Sequence, residues 1–260
     1  MIFYCQNIWN NTPASYRNTL VRSLAKEVDA DVCFFQECGP KTNRVAKKAI
    51  QDLMADVYTE ACPEVAATNF TPVFYKKDKF NLIDNGYFLY DGLNDEDSKS
   101  VTWAVLEDKS TSEKVVCIST HFWWMFDSEK DNQQRLQNVE QLKEICDELD
   151  AKYGYPIVIG GDFNNGKNSV QGDMPYKTML QKGFADIRLC AEETTETYTH
   201  HEYPILQDDE TYVKSEMPDK NIDFIFIYGK NRLKPKKFDV LISDEALASS
   251  DHCPLVGYFE

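Results

Sequence analysis

Six short polar clusters punctuate the 260-residue sequence, each at the border of an apolar run. Gln6-Asn7 follows I-F-Y-C, Gln36-Glu37 follows V-C-F-F, and Thr120-His121 follows V-V-C-I-S. Asp162 and Asn164 follow V-I-G-G, Asp223 stands inside N-I-D-F-I-F-I, and Asp251-His252 precede C-P-L-V. Successive side chains alternate along an extended backbone, so Asp162 and Asn164 leave on one side and Phe163 on the other. Two polar side chains leaving the end of a buried strand together cost solvation unless they bind something. Taken alone, that stretch reads equally well as a strand ending in a Gly-Asp turn. Six such borders point instead to one cleft, because ligand sites of α/β sheets lie at strand ends.

The side chains at these borders suit a hard cation and proton traffic. Asn7, Glu37, Asp162, Asn164, Asp223 and Asp251 offer carboxylate and amide oxygens, and His121 and His252 offer imidazoles. Oxygen donors with few nitrogens and no thiolate favour magnesium, manganese or calcium over zinc. A lone histidine at a strand end is ordinarily a hydrogen-bonded structural residue, but two of them beside spare carboxylates point to catalysis. A carboxylate paired with such a histidine orients the ring and stabilises its charged form, and Asp223 is the candidate partner of His252. A protonated imidazole held this way beside a metal suits the charge that gathers on phosphoryl oxygens during displacement.

The elements that must carry these residues alternate between strand and helix. Residues 2–9 read as a strand, and Asn10-Asn11-Thr12-Pro13 as a turn with Thr12 capping a helix and Pro13 at its first position. Leu20, Val21, Leu24, Ala25 and Val28 form its apolar stripe. A second buried strand at residues 31–36 makes a β-α-β unit whose crossover brings Asn7 and Glu37 to one sheet edge. A helix over 43–57 follows, with Val45, Ala49, Ile50, Leu53 and Val57 inward. From 71 to 119 four short strands read as an antiparallel meander, with Asp84-Asn85-Gly86 as one connection and an acidic, solvated tip at 91–100 as another. Residues 128–153 form the longest helix, stopped by Gly154, and a short helix over 176–182 ends at Gly183. A polar, loop-rich stretch spans 191–221, and three strands close the chain. The basic run K-N-R-L-K-P-K-K at 230–237 reads as a solvated hairpin between two of them, the alternative being a grip on an anionic substrate.

Composition sets the outer bounds. Length and the absence of repeats or linkers fit a single domain over 1–260. With 28 basic against 43 acidic residues the net charge is -15, which disfavours tight duplex binding unless cations intervene. Eight cysteines, none in C-x-x-C spacing, mostly sit in apolar runs and read as reduced core thiols. No apolar run approaches membrane-spanning length. The expectation is a cytoplasmic monomer, or a secreted one if a leader preceded Met1.

The ordered set Q-N-I-W-N, F-F-Q-E, S-T-H, G-G-D-F-N, I-D-F-I and S-D-H-C-P resembles the endonuclease/exonuclease/phosphatase superfamily, from Gln6 to Pro254. The resemblance implies a four-layer α/β sandwich, with two mixed sheets face to face and helices outside, as in DNase I. It implies Mg2+ or Mn2+ held by Asn7 and Glu37 with support from Asp251. Asp162 would activate the attacking water, Asn164 would bind a phosphate oxygen, and His252, oriented by Asp223, would stabilise the transition state. His121 would touch the scissile phosphate, and Arg135 matches an arginine often found in the following helix, a packing role being the alternative. After His121 the chain departs from related members: Phe122, Trp123 and Trp124 either line a substrate pocket or pack on the body. T-Y-T-H-H precedes Asp223 as a threonine-aromatic segment does in several members, and at most one of His200 and His201 reaches the cleft. No counterpart appears of the tyrosine and arginine loop with which exonuclease III-type members grip abasic DNA. The expected function is hydrolysis of a small or lipid-like phosphodiester or phosphomonoester, with a nuclease as the enzymatic alternative. A non-catalytic phosphate-binding module is the alternative of another class.

Overall fold

A computed structural model describes residues 1–9, 15–39, 46–166, 173–195 and 197–260. The chain runs through β1 (Ile2–Asn7), α1 (Ser15–Glu27), β2 (Val32–Gln36), α2 (Ala46–Met54), β3 (Tyr58–Glu60) and β4 (Val73–Lys76). Next come β5 (Phe80–Leu89), β6 (Ser100–Asp108), β7 (Lys114–His121), α3 (Glu129–Tyr153) and β8 (Ile157–Asp162). Then follow α4 (Met174–Gln181), β9 (Ala185–Asp186), α5 (Ile187–Cys190), β10 (Glu193–Thr194), β11 (Ile205–Leu206) and β12 (Tyr212–Val213). The chain ends with β13 (Asp223–Tyr228), β14 (Pro235–Val240), α6 (Asp244–Ser249) and β15 (Leu255–Phe259).

These strands form two large mixed sheets and a small hairpin. One sheet has the order β10-β14-β15-β1-β2-β4-β3, the other β5-β6-β7-β8-β13-β9, and β11 pairs with β12. Parallel pairs lie at the centre of each: β1 with β2, and β7 with β8. Alternation along the strands sorts the apolar side chains into separate cores. Phe3, Cys5, Val32, Phe34, Val115, Cys117, Val158, Ile225 and Ile227 meet between the sheets. Tyr4, Cys33 and Phe35 face the other way, onto Val21, Leu24, Ile50 and Ala246 of the helices. Val116, Ile118, Ile157 and Ile159 face Val139, Leu142 and Met179 of α3 and α4. Three cores between helix, sheet, sheet and helix make the expected four layers.

Helix α3 carries its own start and stop signals. Ser128 and Asp131 cap each other reciprocally, and Gly154 takes the left-handed conformation at φ 63° that ends it. All eight cysteines are free, and all but Cys190 are buried. Among the described residues no helix is long and apolar enough to cross a membrane. The expected cap at Thr12 and Pro13 and the start of the second helix before 46 lie outside the described residues.

Four expectations need correction. Asp84-Asn85-Gly86 is no turn: it lies within β5, paired with Val105, Ala104 and Trp103 after a bulge. Gly86 is required there because the indole of Trp103 occupies the space a Cβ would take, 2.5 Å away. The strands of 71–119 do not form one meander, since β4 pairs with β2 and β3 in the other sheet. The acidic segment before β6 is solvated at Asp91, Glu96 and Asp97, but it does not stay so to its end: Ser98, Lys99 and Ser100 are buried. Residues 230–237 are a crossover and not a hairpin, since β13 and β14 belong to different sheets. Helices α5 and α6 and the two- and three-residue strands escaped the sequence reading because each is too short to show a period.

Gly161 closes the approach of β8 to β7: an added Cβ would lie 2.5 Å from the Thr120 carbonyl oxygen, a backbone atom that cannot swing away. Gly161→Ala is expected to lower the unfolding free energy by about 1–3 kcal/mol, read by chemical denaturation.

Candidate active site

The inter-sheet core ends in a polar row. The alternation that turns Phe3 and Cys5 inward continues to Asn7, that of Val115 and Cys117 to Ser119 and His121, and that of Val158 to Asp162. Asp223 begins the same row on β13, whose Ile225 and Ile227 face inward. Register then sets the neighbours: Asn7 lies opposite Gln36, His121 opposite Asp162, and Asp162 opposite Asp223. Just behind this row the Gln36 amide donates to Ser119 Oγ at 3.0 Å, a buried polar tie between the sheets.

Asn7 joins the two sheets at the row itself. Its Nδ2 donates to Glu37 Oε1 at 3.1 Å and to Asp162 Oδ2 at 3.0 Å, while its Oδ1 accepts from Trp9 N–H at 3.0 Å. Trp9, Glu37 and Asn164, each just beyond a strand end, all adopt left-handed backbone at φ 50°, 55° and 50°. Asparagine tolerates this region, whereas tryptophan and glutamate seldom enter it. Strain at Trp9 and Glu37, two positions bordering one carboxylate cluster, marks a site whose geometry the surroundings impose. The guanidinium of buried Arg17 supplies part of that restraint, donating to the carbonyls of Ile8, Trp9 and Ser249 at 2.9, 2.9 and 3.2 Å.

His252 enters from the turn before β15. Its Nδ1 donates to Asp223 at 2.9 and 3.0 Å, which leaves Nε2 toward Asp162 Oδ2 and Asp251 Oδ1 at 3.8 and 4.0 Å. Asp223 is itself held by Thr199, whose hydroxyl donates to Oδ2 at 2.8 Å and accepts from the Ile222 and Asp223 amides. Ser250 Oγ donates to the Asn7 carbonyl at 2.7 Å, fastening this turn to the end of β1. On the other side, His121 Nε2 lies 3.3 Å from Asp162 Oδ2 and 3.1 Å from Asn164 Nδ2. Asn164 N–H also donates to Asp162 Oδ1 at 2.9 Å.

Charge is dense and buried here, so the groups set one another's protonation. Burial works to lower the His252 pKa, yet the fields of Asp223, Asp251 and Asp162 outweigh it and hold the imidazolium well above its usual range. Burial likewise opposes ionisation of Asp162, but His252 and the hydrogen bond and charge of His121 keep its carboxyl below the ordinary value. Glu37 is also held low against burial, by His121, Lys99 and the Asn7 amide. Asp251 goes the other way: burial, with the charge of Glu37 adding to it, pushes it up to about 7 despite His252. Burial and then the charge of His252 depress His200 and His201 to about 3 and 4, so both stay neutral at neutral pH.

The sequence profile of the Endonuclease/Exonuclease/phosphatase family matches residues 5–252. The chain belongs to that family. Solved structures agree in fold. A mannosyl-6-phosphatase of Bacteroides thetaiotaomicron VPI-5482 superposes with a TM-score of 0.77 at 18% identity, covering 100% of this chain and 99% of that one. Truncated TDP2 of Caenorhabditis elegans gives 0.68 at 16% identity over 99% and 96% of the two chains. The human Nocturnin catalytic domain with bound sulfate gives 0.67 at 16% identity over 100% and 94%. Among curated proteins none matches the chain in sequence.

Within this Endonuclease/Exonuclease/phosphatase fold, Asn7, Glu37, His121, Asp162, Asn164, Asp223, Asp251 and His252 come together as the sequence motifs required. Two expected substrate contacts do not. Trp123 is buried and donates from Nε1 to Asp131 at 2.7 Å, so it anchors the start of α3. Arg135 is fully buried, donating to the Met125 carbonyl and to Asn132, and therefore fastens the loop before α3. Trp124, 46% exposed, donates to Asp95 at 2.8 Å and remains at the surface. Of the adjacent histidines, His200 reaches the cluster: its ring packs edge-on against His252 at 4.7 Å, with Nε2 3.9 Å from Asp251. His201 is buried behind it, its amide donating to the Asp251 carbonyl. The basic run lies at the opposite end of the sheets from Asp223. There Lys236 pairs with Glu192 and Glu260 at 2.8 and 2.7 Å, and Lys237 with Asp239 at 2.6 Å. Sequence reading passed over Thr199 and Lys99; the T-Y-T-H-H motif held the signal for the first, and no local pattern marks the second.

The donor chemistry fits a hard divalent cation. A Glu37 and an Asp162 oxygen converge within 3.1 Å of one atom, Asn7 Nδ2, and Asp251 stands nearby among oxygens and not thiolates. Two further triads, Asp162-Asp223-His252 and His200-Asp251-His252, bring potential ligand atoms within 4.8 Å of one another.

Asp223 contributes the largest of the charges that raise the His252 pKa. Asp223→Asn should therefore lower that pKa, by about 1–3 pH units, so the imidazolium is lost earlier as pH rises. An NMR titration of the His252 ring checks this without reference to activity.

Proposed function

We propose that residues 1–260 act as one Mg2+- or Mn2+-dependent phosphoesterase, hydrolysing a small or lipid-like phosphoester by in-line attack of water. The observation that carries this reading is the convergence of Glu37 and Asp162, from two different sheets, on Asn7 Nδ2 at 3.1 and 3.0 Å, beside the Asp223-bound His252. Asn7 and Glu37, with Asp251 in support, would hold the cation. When bound, it supplies Lewis-acid polarisation of a phosphoryl oxygen and neutralises part of the developing charge.

The remaining work falls to the chain. Asp162, kept ionised by its histidine neighbours, takes a proton from water as its oxygen bonds to phosphorus. The ester P–O bond breaks opposite the attack, and the leaving oxygen is protonated from solvent at the cleft mouth. His252, charged and fixed by Asp223, places Nε2 where negative charge accumulates on the phosphoryl oxygens. Asn164 and His121 bind those oxygens from the other side. A low-molecular-weight substrate is favoured over duplex nucleic acid by the net charge of -15 and by the pairing of the basic run with acidic side chains far from the site. Similarity to a mannosyl-6-phosphatase is in keeping with that choice.

EDTA should abolish turnover of a phosphoester such as bis-p-nitrophenyl phosphate, and added Mg2+ or Mn2+ should restore it. Glu37→Gln, Asp162→Asn and His252→Ala should each lower kcat/KM by about 10²–10⁴-fold in protein that still unfolds cooperatively above the assay temperature. Full activity in Asp162→Asn would remove it from the water-activating role, and EDTA-resistant turnover would overturn metal dependence.

A further inference from the structure

Among the described residues one lysine is buried, and the proposed chemistry leaves it unused. Lys99 is only 4% exposed, though it closes a loop rich in acidic residues. The loop is tightly drawn: Asn94 Nδ2 donates to the carbonyls of Tyr90 and Lys99 at 3.2 and 2.8 Å, and Asn94 Oδ1 accepts from Lys99 N–H at 2.9 Å. Helix α3 braces it from outside, with Gln134 accepting from Leu93 N–H at 2.7 Å and donating to the Asp91 carbonyl at 2.8 Å. Strand register then places it. Val101 pairs with Thr120, so the chain just before β6 runs beside the end of β7, next to His121 and, one strand further, Asp162.

Burying an ammonium is costly unless its donors find partners. Among the described residues Lys99 Nζ makes one hydrogen bond, to Ser98 Oγ at 3.2 Å. The Asp95 carboxylate stands 3.9 Å away, beyond hydrogen-bond distance, and accepts instead from Trp124. An ammonium has three donors. Two therefore point at no described acceptor, and burial lowers the Lys99 pKa against the opposing charges of Glu37, Asp95 and Asp162.

We propose that Lys99 is a substrate-binding residue that takes the non-esterified terminal oxygen of a phosphomonoester, making phosphomonoester dianions the preferred substrates. This rests on the phosphoesterase reading and narrows it. A monoester carries close to two negative charges at neutral pH and three unsubstituted oxygens, one more of each than a diester. The additional oxygen satisfies the idle donors and the additional charge offsets the buried ammonium. A diester offers an ester oxygen there instead, a poor acceptor bearing a substituent that would be pressed against a charge. The reaction is R–O–PO3²⁻ + H2O → R–OH + HPO4²⁻: one P–O bond forms from water, the ester P–O bond breaks, and no redox partner is needed.

The test compares kcat/KM for p-nitrophenyl phosphate and bis-p-nitrophenyl phosphate at saturating Mg2+ or Mn2+. Lys99→Gln, and the close isostere Lys99→Met if the first is destabilised, should lower the monoester-to-diester ratio by about ten- to hundredfold. Both should also raise the inhibition constant of inorganic phosphate about tenfold or more. Lys236→Gln removes the same charge at the far end of the sheets and should leave both quantities unchanged. An unchanged ratio in the Lys99 variants, or an equal change in Lys236→Gln, overturns the assignment while leaving the phosphoesterase reading intact. Wild-type protein inactive on both esters would overturn that reading and this one together.

Discussion

A single carboxamide nitrogen held between carboxylates of two different sheets is the contact on which the site depends. Asn7 Nδ2 reaches Glu37 and Asp162 at 3.1 and 3.0 Å, and neither sheet alone could present that pair. Buried carboxylates repel one another and resist desolvation, so they persist only where donors or cations face them. The four carboxyls Glu37, Asp162, Asp223 and Asp251 are met here by Asn7, His121, Thr199 and His252. The arrangement is stable as a set: removing one partner leaves a buried charge exposed to the rest.

That contact is possible because the inter-sheet core runs out in register. Phe34 and Cys5 crowd the space in front of Gly160, and the Thr120 carbonyl crowds Gly161, so only glycines let β8 approach both β1 and β7. Packing of Phe3, Phe34, Val158 and Ile225 sets the distance between sheets. The Gln36 to Ser119 hydrogen bond then fixes their mutual slide one layer below the carboxylates. Apolar packing thus supplies the separation, and a buried polar tie supplies the alignment.

Strand ends deliver the residues, and the segments beyond them add direction. Backbone at Trp9, Glu37 and Asn164, just after β1, β2 and β8, is left-handed. Thr199 holds Asp223, Asp223 holds His252, and Ser250 ties the same turn to Asn7, so the imidazole is fixed through three separate segments. The loops bearing Trp124 and Lys99 are joined at Asp95 and braced by α3. The longest helix therefore helps to build the cleft wall as well as cover a sheet.

The β-α-β start, the long capped helix, the free core thiols and the strand-border clusters were legible in the sequence, because alternation, capping residues and short motifs are local properties. Local order also sufficed for the family, since six motifs in sequence left little freedom of assignment. What the sequence alone left open depended on partners that no local pattern names. Asp84-Asn85-Gly86 has the composition of a turn, yet only the Trp103 ring on the facing strand explains a glycine inside β5. Trp123 and Arg135 have the chemistry of substrate contacts, and only tertiary packing shows Asp131, Asn132 and Met125 engaging them. Lys99 lies in a stretch whose acidity suggests a solvated tip, but β-sheet register carries it inward to the end of β7. Residue types and their spacing determined which groups were available for chemistry. Sheet pairing and the closeness of the two sheets decided which of them meet.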